Sequence, residues 1–316
     1  MFDSVQAYVP VHAAVSRFVH VRGLKHHVLG WGDPSRATPE QPLLVMVHGW
    51  MDTAASFQFM VDALRQQPGW AERPIVAIDW RGFGHTDSPQ SDSSFFADYL
   101  GDLDALLDEL APGQKIDLLG HSMGGNVVML YAGVRSERIH RLINLEGFGM
   151  PATAPEEAPS RYVKWLDELK KPVQLKDYPT QADVAKRLQA NNPRLRASFA
   201  QWLAGHWARE EGGRWVINAD PGHKRSQPIL YRVEEVNAFM QRIQCPVLFV
   251  EGGETLYFML FNGRFTREEF LERVKRVPDF RLERIEQAGH MLHHDQPEEL
   301  AAHIANFLNA RNIPAA

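Results

Sequence analysis

The chain has 316 residues, more than one average domain, but an α/β domain that carries an insertion can account for this length. With 44% apolar and 23% charged residues, the composition is that of an ordinary globular protein able to bury a substantial core, and it excludes a disordered chain. The net charge of −5 comes from interspersed acidic and basic residues, which excludes a broad basic surface for nucleic acid, and we expect a small-molecule substrate.

The cysteine count and the apolar runs bear on the cellular compartment. Cys245 is the only cysteine, so no intrachain disulfide framework is possible, and its place before Pro246 predicts a buried thiol. The first residues lack a basic segment followed by a long apolar stretch, and no apolar run approaches the length of a membrane span. We therefore expect a cytoplasmic protein without a membrane partner.

The first half of the chain alternates strand and helix patterns. Residues 16–31 alternate around Arg22-Gly23 and predict a hairpin. Short apolar runs then predict strands buried on both faces, and apolar residues at helical spacing predict helices between them. The predicted strands are 43–47, 74–78, 116–119 and 142–145, and the predicted helices are 56–66, 96–110 and 127–132. This alternation indicates a mostly parallel sheet with helices on both faces.

The character of the chain changes at Pro151. Residues 151–244 show helical patterns rich in tryptophan and charge, with several proline breaks and no clear strand of a parallel sheet. The alternation resumes with strands at 246–250 and 280–285 and helices at 266–274 and 297–308. We therefore predict an α/β core formed by residues 1–150 and 245–316, with residues 151–244 inserted as a helical cap.

The chemistry centres on a sharp turn between a strand and a helix. Residues 120–124 read G-H-S-M-G, the G-x-S-x-G pattern, and they follow the apolar strand 116–119 directly. Glycines at both ends leave room for a strained backbone that lifts the serine clear of the sheet. Ser122 is therefore the predicted nucleophile.

A serine hydroxyl needs a base at neutral pH, normally a histidine oriented by a carboxylate. His290 is predicted as the base because it lies in the turn after the last strand and completes the chain order nucleophile, acid, histidine. The neighbouring His293 and His294 are expected at the surface of the same turn. Because adjacent residues of a regular helix cannot both point into one site, we predict no metal ion and no cofactor.

Two glutamates are candidates for the acid. Glu146 and Glu254 both follow strands, at the edge of a parallel sheet where catalytic groups gather. Glu251 is expected to be the last residue of its strand instead. Position alone leaves the choice between Glu146 and Glu254 open.

The oxyanion of an acyl-transfer intermediate needs preorganised N–H donors. Met123 follows the nucleophile directly, and its backbone N–H is the first predicted donor. The second is the N–H of Trp50, because His48-Gly49-Trp50 comes at the end of the first long buried strand.

These segments together resemble the α/β-hydrolase fold, and the resemblance covers nearly the whole chain. Its order of motifs is H-G-W at 48–50, D-W-R-G-F-G-H-T-D-S at 79–88, G-H-S-M-G-G at 120–125 and G-H at 289–290. Within that superfamily the chain is similar to capped members, among them the serine hydrolase-like proteins. Residues 144–151 resemble the stretch of some haloalkane dehalogenases that carries the triad acid, which favours Glu146 over Glu254. Dehalogenases and epoxide hydrolases attack through an aspartate, whereas this chain has Ser122.

The resemblance and the residues together imply a cofactor-independent serine hydrolase acting on a carboxylic ester or similar acyl compound. The predicted substrate contacts are His121, Phe148, Met150 and Trp165. The cap tryptophans Trp202, Trp207 and Trp215 with Phe199 are candidates to line an apolar pocket, but most of them are expected to pack the cap onto the core. Other reactions of the same triad stay open, namely hydrolysis of C–C bonds, lactones or thioesters and perhydrolysis. A non-catalytic protein that binds small molecules beneath the cap is the alternative of a different class.

Overall fold

The structure is a computed structural model, and it describes residues 7–89 and 91–310. Within these residues the strands are β1 (Val15–Val21), β2 (Leu24–Trp31), β3 (Leu44–Val47), β4 (Ile75–Ile78), β5 (Ile116–His121), β6 (Ile139–Leu145), β7 (Asp177–Tyr178), β8 (Ala208–Glu211), β9 (Arg214–Ile217), β10 (Val247–Gly252) and β11 (Phe280–Ile285). The helices are α1 (Gln58–Arg65), α2 (Phe96–Leu110), α3 (Met123–Val134), α4 (Ala158–Leu169), α5 (Gln181–Asn191), α6 (Ala197–Trp207), α7 (Val233–Met240), α8 (Arg267–Val274), α9 (Leu292–Asp295) and α10 (Pro297–Asn309).

Eight of these strands form one sheet in the order β1-β2-β4-β3-β5-β6-β10-β11. The predicted hairpin β1–β2 is antiparallel, β2 pairs antiparallel with β4, and every other pairing is parallel. Strands β3, β4 and β5 are buried along their whole length. Burial on both faces explains why β3 and β4 appear in the sequence as continuous apolar runs, whereas β5 also buries Asp117 and His121. The parallel strands place their carboxyl ends at one edge, where Ser122 and Glu146 follow β5 and β6.

Helices cover both faces of the sheet, as predicted. On one face α1 and α10 pack against each other and against apolar residues of β3, β5 and β10. On the other face α2, α3 and α8 pack on the opposite side chains of the same strands. None of the helices in the described part of the chain is both long and apolar enough to span a bilayer.

The segment between β6 and β10 contains α4, α5 and α6 together with a small antiparallel sheet of order β7-β9-β8. A purely helical cap is therefore a wrong expectation. Strands β8 and β9 form a hairpin around Gly212-Gly213, which both have positive φ. The sequence of β8, A-R-E-E, has no apolar alternation because its charged side chains are exposed. The Gly212-Gly213 pair is the feature of the sequence that could have predicted this hairpin.

Helix α7 also lies within the residues predicted to form the cap, but it packs against α3 of the core. The contact is close enough that a Cβ built on Gly133 in α3 would lie 2.5 Å from the carbonyl oxygen of Phe239 in α7. The expected cap boundary at residue 244 is corrected accordingly, because α7 belongs to the helical layer of the core.

Candidate active site

The turn between β5 and α3 holds Ser122 in a left-handed backbone conformation, with φ +52° and ψ −113°. Such a conformation costs about 1–3 kcal/mol for a residue with a side chain. The flanking glycines permit it, because a Cβ on Gly120 would lie 2.4 Å from the Gly124 carbonyl oxygen and one on Gly124 would lie 2.5 Å from the Val47 carbonyl oxygen. The strained turn leaves Ser122 partly exposed at the sheet edge.

His290 lies in the turn between β11 and α9, and the structure brings it to Ser122. Its Nε2 is 2.9 Å from Ser122 Oγ, and its Nδ1 is 3.0 Å from Glu146 Oε2. A carboxylate oxygen accepts hydrogen bonds, so Nδ1 carries the proton and Nε2 presents its lone pair to the serine hydroxyl. This is the tautomer in which an imidazole can take the serine proton.

Glu146 is fully buried and directly follows β6. Besides His290, its carboxylate accepts hydrogen bonds from the backbone N–H of Gly252 at 2.7 Å and from the Thr255 hydroxyl at 2.6 Å. Three donors therefore converge on its two oxygens and fix the carboxylate in one orientation. Like Ser122, Glu146 has a positive φ, +59°.

The two other acidic candidates point away from His290. Glu254 is half exposed and forms an ion pair with Arg194 of the cap segment. Glu251 is buried within β10 and forms an ion pair with Arg267 at 2.6 Å. Of the two glutamates left open by the sequence, the structure joins Glu146 to the imidazole.

The predicted oxyanion donors lie on two segments beside the nucleophile. Met123 is the first residue of α3, so its N–H has no acceptor within the helix. A Cβ built on Gly49 would lie 3.1 Å from Ser122 Cβ, which places the Gly49-Trp50 peptide alongside the serine. The Trp50 side chain is half exposed and donates its indole N–H to the His223 carbonyl at 3.2 Å. The roles of both backbone N–H groups stay predictions.

The histidines around His290 are buried, contrary to the expected surface position of His293 and His294. Both residues lie in α9, and both imidazoles hydrogen-bond through Nε2 to the Ser56 hydroxyl, at 2.8 and 2.6 Å. The argument that neighbours cannot share one site is wrong here, because α9 is a single turn and not a regular helix. Burial lowers the pKa of each of these two histidines to about 3.

His121 is buried beside the His290 imidazole, with ring centroids 5.0 Å apart. It is 2% exposed, and its Nε2–H donates to the carbonyl oxygen of His290 at 2.8 Å. Burial, with the neighbouring His293 and His290, holds the pKa of His121 well below its usual value. His121 is thus placed to position the backbone of His290, and its predicted contact with substrate is corrected.

Within the part of the chain that the structure describes, one group of residues has side-chain atoms close enough to hold a metal ion. It consists of Asp52, His121 and His293, whose ligand atoms lie within 4.8 Å of one another. All three side chains are buried.

The remaining predicted substrate contacts separate into two groups. Phe148 is 1% exposed and packs among Phe249, Phe258 and Phe270, so it is a core residue and not a substrate contact. Met150 is exposed, with its sulfur 3.6 Å from the Tyr257 hydroxyl. Trp165 of α4 donates its indole N–H to the Ser93 hydroxyl at 2.9 Å. Contact of Met150 and Trp165 with substrate stays a prediction.

The other aromatic residues of the cap attach it to the core. Phe199 of α6 stacks face to face on Phe59 of α1 with ring centroids 3.9 Å apart, and Trp202 packs edge-on against the same ring. Trp207 donates its indole N–H to the Met51 carbonyl at 2.7 Å, and Trp215 joins the same apolar cluster. These contacts pack the cap onto the core, as expected for most of these residues.

Two residues of the site escaped the sequence analysis. The Tyr257 ring lies nearly parallel to the His290 imidazole, with centroids 5.7 Å apart, and the Thr255 hydroxyl holds Glu146. Both follow β10, the strand next to β6 in the sheet. The position of β10 beside β6 could have pointed to the loop after β10 as part of the site, but it does not identify which side chains of that loop reach His290 or Glu146.

Known proteins resemble this chain in sequence and in fold. Residues 42–297 match a family model described as "alpha/beta hydrolase fold". The chain is 25% identical over 272 residues to the sn-1-specific diacylglycerol lipase ABHD11 of Mus musculus, covering 84% of this chain and 81% of the relative. It is 24% identical over 296 residues to a serine hydrolase-like protein of Danio rerio, covering 89% and 84%.

A solved structure has the same fold. The thioesterase domain from the curacin biosynthetic pathway superposes with a TM-score of 0.79 at 23% identity, over 93% of this chain and 99% of that domain. The family model spans most of the chain and includes β3 to β11, and the predicted fold class is confirmed. The chain therefore belongs to the alpha/beta hydrolase fold family and is an enzyme of the hydrolase class.

Proposed function

We propose that the protein is a serine hydrolase that cleaves carboxylic esters of apolar acyl groups through an acyl-enzyme. The observation that carries the proposal is the continuous hydrogen-bonded series from Ser122 Oγ through His290 to Glu146, with distances of 2.9 and 3.0 Å. Serine, histidine and carboxylate in this order are the groups that acyl transfer to a serine requires. The sn-1-specific diacylglycerol lipase among the relatives is itself named for an ester substrate, which supports the choice of an ester.

In the first half of the reaction, Ser122 Oγ attacks the ester carbonyl while His290 Nε2 takes the hydroxyl proton. Glu146 keeps the imidazole oriented and stabilises the imidazolium. The N–H groups of Trp50 and Met123 hold the oxyanion, and His290 then gives its proton to the leaving alcohol. Water attacks the acyl-enzyme in the second half by the same route and releases the acid.

The surroundings of His290 favour an apolar acyl group. Tyr257 lies against the imidazole, and four exposed side chains close to this tyrosine are apolar. They are Met150, Leu256, Met259 and Leu260, with exposed fractions between 43% and 72%. Apolar side chains left in water beside a reactive serine can recover free energy by covering an acyl chain.

Labelling with a fluorophosphonate tests the proposal directly. We expect the intact protein to form an adduct on Ser122, located by peptide mass spectrometry, and to hydrolyse p-nitrophenyl esters. The Ser122→Ala variant should lose the adduct at residue 122 and at least about 1,000-fold in kcat, because the triad acts as a unit.

A matched control is Ser160→Ala. Ser160 is an exposed serine of α4 whose hydroxyl donates to the Glu157 carbonyl and has no imidazole partner. It should leave labelling and turnover unchanged. Ester hydrolysis that survives Ser122→Ala at the original rate contradicts the proposal, and binding of apolar esters without turnover favours a binding protein.

A further inference from the structure

A second serine, on the edge strand β1, makes the same pattern of hydrogen bonds as Ser122. Ser16 Oγ lies 2.8 Å from His27 Nε2, and His27 Nδ1 lies 2.6 Å from Asp79 Oδ2. These distances match the 2.9 and 3.0 Å of the Ser122 series. Ser16 is exposed, whereas His27 and Asp79 are 3% and 2% exposed.

The fold places the three residues on adjacent strands. In the hairpin, Ser16 pairs with Leu29 and His27 pairs with Phe18, so Ser16 and His27 are diagonal neighbours on one face of the sheet. Strand β4 pairs with β2, and Asp79 directly follows it. Ser16 and His27 therefore lie on strands and Asp79 lies at the end of one, and these strands of one sheet fix the distances between the three residues.

The tautomer of His27 follows from its partner. Asp79 also accepts hydrogen bonds from the backbone N–H of Ala54 at 2.6 Å and of His85 at 3.0 Å. Burial acts to raise the pKa of Asp79, but the pKa stays below its usual value. The causes are the hydrogen bond from His27, the electrostatic interactions with the nearby His48 and His27, and the hydrogen bond from the Ala54 N–H. The ionised carboxylate accepts a hydrogen bond from His27 Nδ1–H, so His27 Nε2 presents its lone pair to the Ser16 hydroxyl.

A cavity of about 290 Å³ opens in front of this series, and it has an unused polar group. The cavity is lined by Ser16, His27, Thr53 and Trp202, among others. Thr53 is 3% exposed, and among the described residues its hydroxyl has no hydrogen-bond partner. A buried hydroxyl without a partner costs free energy, and a carbonyl or phosphoryl oxygen bound in the cavity would satisfy it.

We infer that Ser16 is a second nucleophilic serine, which accepts a small acyl group from activated esters that enter this cavity. Ser16 Oγ attacks the carbonyl carbon as its proton passes to His27 Nε2, and Thr53 donates to the carbonyl oxygen. The ester C–O bond breaks, the leaving alkoxide takes the proton from His27, and Ser16 becomes an ester. The cavity volume lies at the low end for small-molecule sites, which limits the acyl group to a short one.

Ser16 should react more slowly than Ser122. The site offers one side-chain donor for the oxyanion where Ser122 has two predicted backbone donors, and each such donor is worth about 100- to 1,000-fold in rate. We therefore expect Ser16 to be acylated roughly 100- to 1,000-fold more slowly than Ser122 and to hold its acyl group longer.

The experiment uses the full-length Ser122→Ala protein with p-nitrophenyl acetate and, separately, a fluorophosphonate in excess. Peptide mass spectrometry follows the modification of Ser16 and, as an internal comparison, of the exposed Ser160. We expect Ser16 to be modified about 100-fold faster than Ser160, because a general base contributes about that factor. Equal rates at the two serines overturn the inference.

Two further variants test the mechanism. His27→Gln should lower the rate at Ser16 about 100-fold, with folding checked by circular dichroism. Thr53→Val, which removes a hydroxyl that has no partner and should fold normally, should lower that rate about tenfold or more. Unchanged rates in Thr53→Val and in folded His27→Gln overturn the inference. Adducts on Ser122 in the wild-type protein are read from a different peptide. Absence of modification at Ser16 therefore does not contradict the function proposed for Ser122, and absence of modification at Ser122 does not contradict the inference for Ser16.

Discussion

At the scale of single residues, the proposed nucleophile and the proposed acid share an unusual feature. Ser122 and Glu146 are both non-glycine residues with positive φ, +52° and +59°. Each is held by a backbone hydrogen bond, from the Ser122 N–H to the Leu145 carbonyl at 2.8 Å and from the Glu146 N–H to the Val250 carbonyl at 3.1 Å. The ladder of β5, β6 and β10 thus holds two strained residues in the positions that the proposed chemistry needs.

The two glutamates left open by the sequence can be separated by kinetics. Glu146→Gln should lower kcat by about 1,000- to 10,000-fold, because an amide no longer fixes the imidazole tautomer or stabilises its charge. Glu254→Gln is the matched control, since Glu254 is half exposed and forms an ion pair with Arg194. It should stay within about twofold of wild type, because an exposed ion pair contributes little. A larger loss at Glu254 than at Glu146 contradicts the assignment.

The sequence was sufficient to place Ser122 and His290 side by side, because each lies in a turn whose place in the strand order is fixed. The position in the chain did not choose the acid, since Glu146 and Glu254 both follow parallel strands at the same edge, and only the resemblance to haloalkane dehalogenases favoured Glu146. The sequence also mistook the core residue Phe148 for a substrate contact. An apolar residue beside a catalytic loop has the same sequence pattern whether it faces substrate or core.

At the scale of secondary structure, the β5–α3 turn depends on a close approach to the neighbouring strand β3. Gly124, the second residue of α3, faces the end of β3. A Cβ there would lie 2.5 Å from the Val47 carbonyl oxygen and 2.6 Å from that of His48, which are backbone atoms that cannot rotate away. The absence of a side chain at residue 124 therefore sets the distance between α3 and β3.

Gly124→Ala should reduce the free energy of unfolding by about 1–3 kcal/mol, because the methyl group forces the helix away from β3. Urea unfolding followed by circular dichroism measures the change. Gly30→Ala in β2 is the control, since a Cβ there would meet its nearest atom, the Val15 carbonyl oxygen, at an ordinary 3.8 Å. Equal stability of the two variants contradicts the packing argument.

The sequence predicted the strands and helices of the core well because buried strands need continuous apolar runs and surface helices need one apolar face. It failed for β8 and for the placement of α7. Strand β8 has exposed charged side chains, so it lacks the pattern that burial imposes. The contact of α7 with α3 depends on Gly133, whose role appears only when the two helices are packed.

At the scale of the whole molecule, stability should depend on pH through the buried histidines of α9. The pKa of His293 and of His294 is lowered to about 3 by burial, whereas a histidine of the unfolded chain has a pKa of about 6.5. As pH falls from about 6.5 towards 3, the unfolded chain binds protons that the folded protein does not, so the free energy of unfolding decreases. Each histidine contributes up to about 1.4 kcal/mol per pH unit.

We expect urea unfolding measured from pH 7 to pH 4 to show this decrease in the free energy of unfolding with falling pH. His294→Asn should lower the slope by about 1.4 kcal/mol per pH unit, because one buried proton acceptor is lost. Replacement of the exposed His20 by Asn should leave the slope as it is in the wild type. Identical slopes in the two variants contradict the assignment to His294.

The arrangement of β6 and β10 has a consequence for synthesis of the chain. These strands are neighbours in the sheet, yet the cap and α7 separate them along the chain, and His290 comes 144 residues after Glu146. A nascent chain can form the nucleophile turn as soon as β3, β5 and β6 have left the ribosome, but it has no imidazole beside Ser122 until β11 is paired. The activity proposed for Ser122 is therefore absent until the chain is almost complete, and its first appearance during translation marks the pairing of β11 with β10.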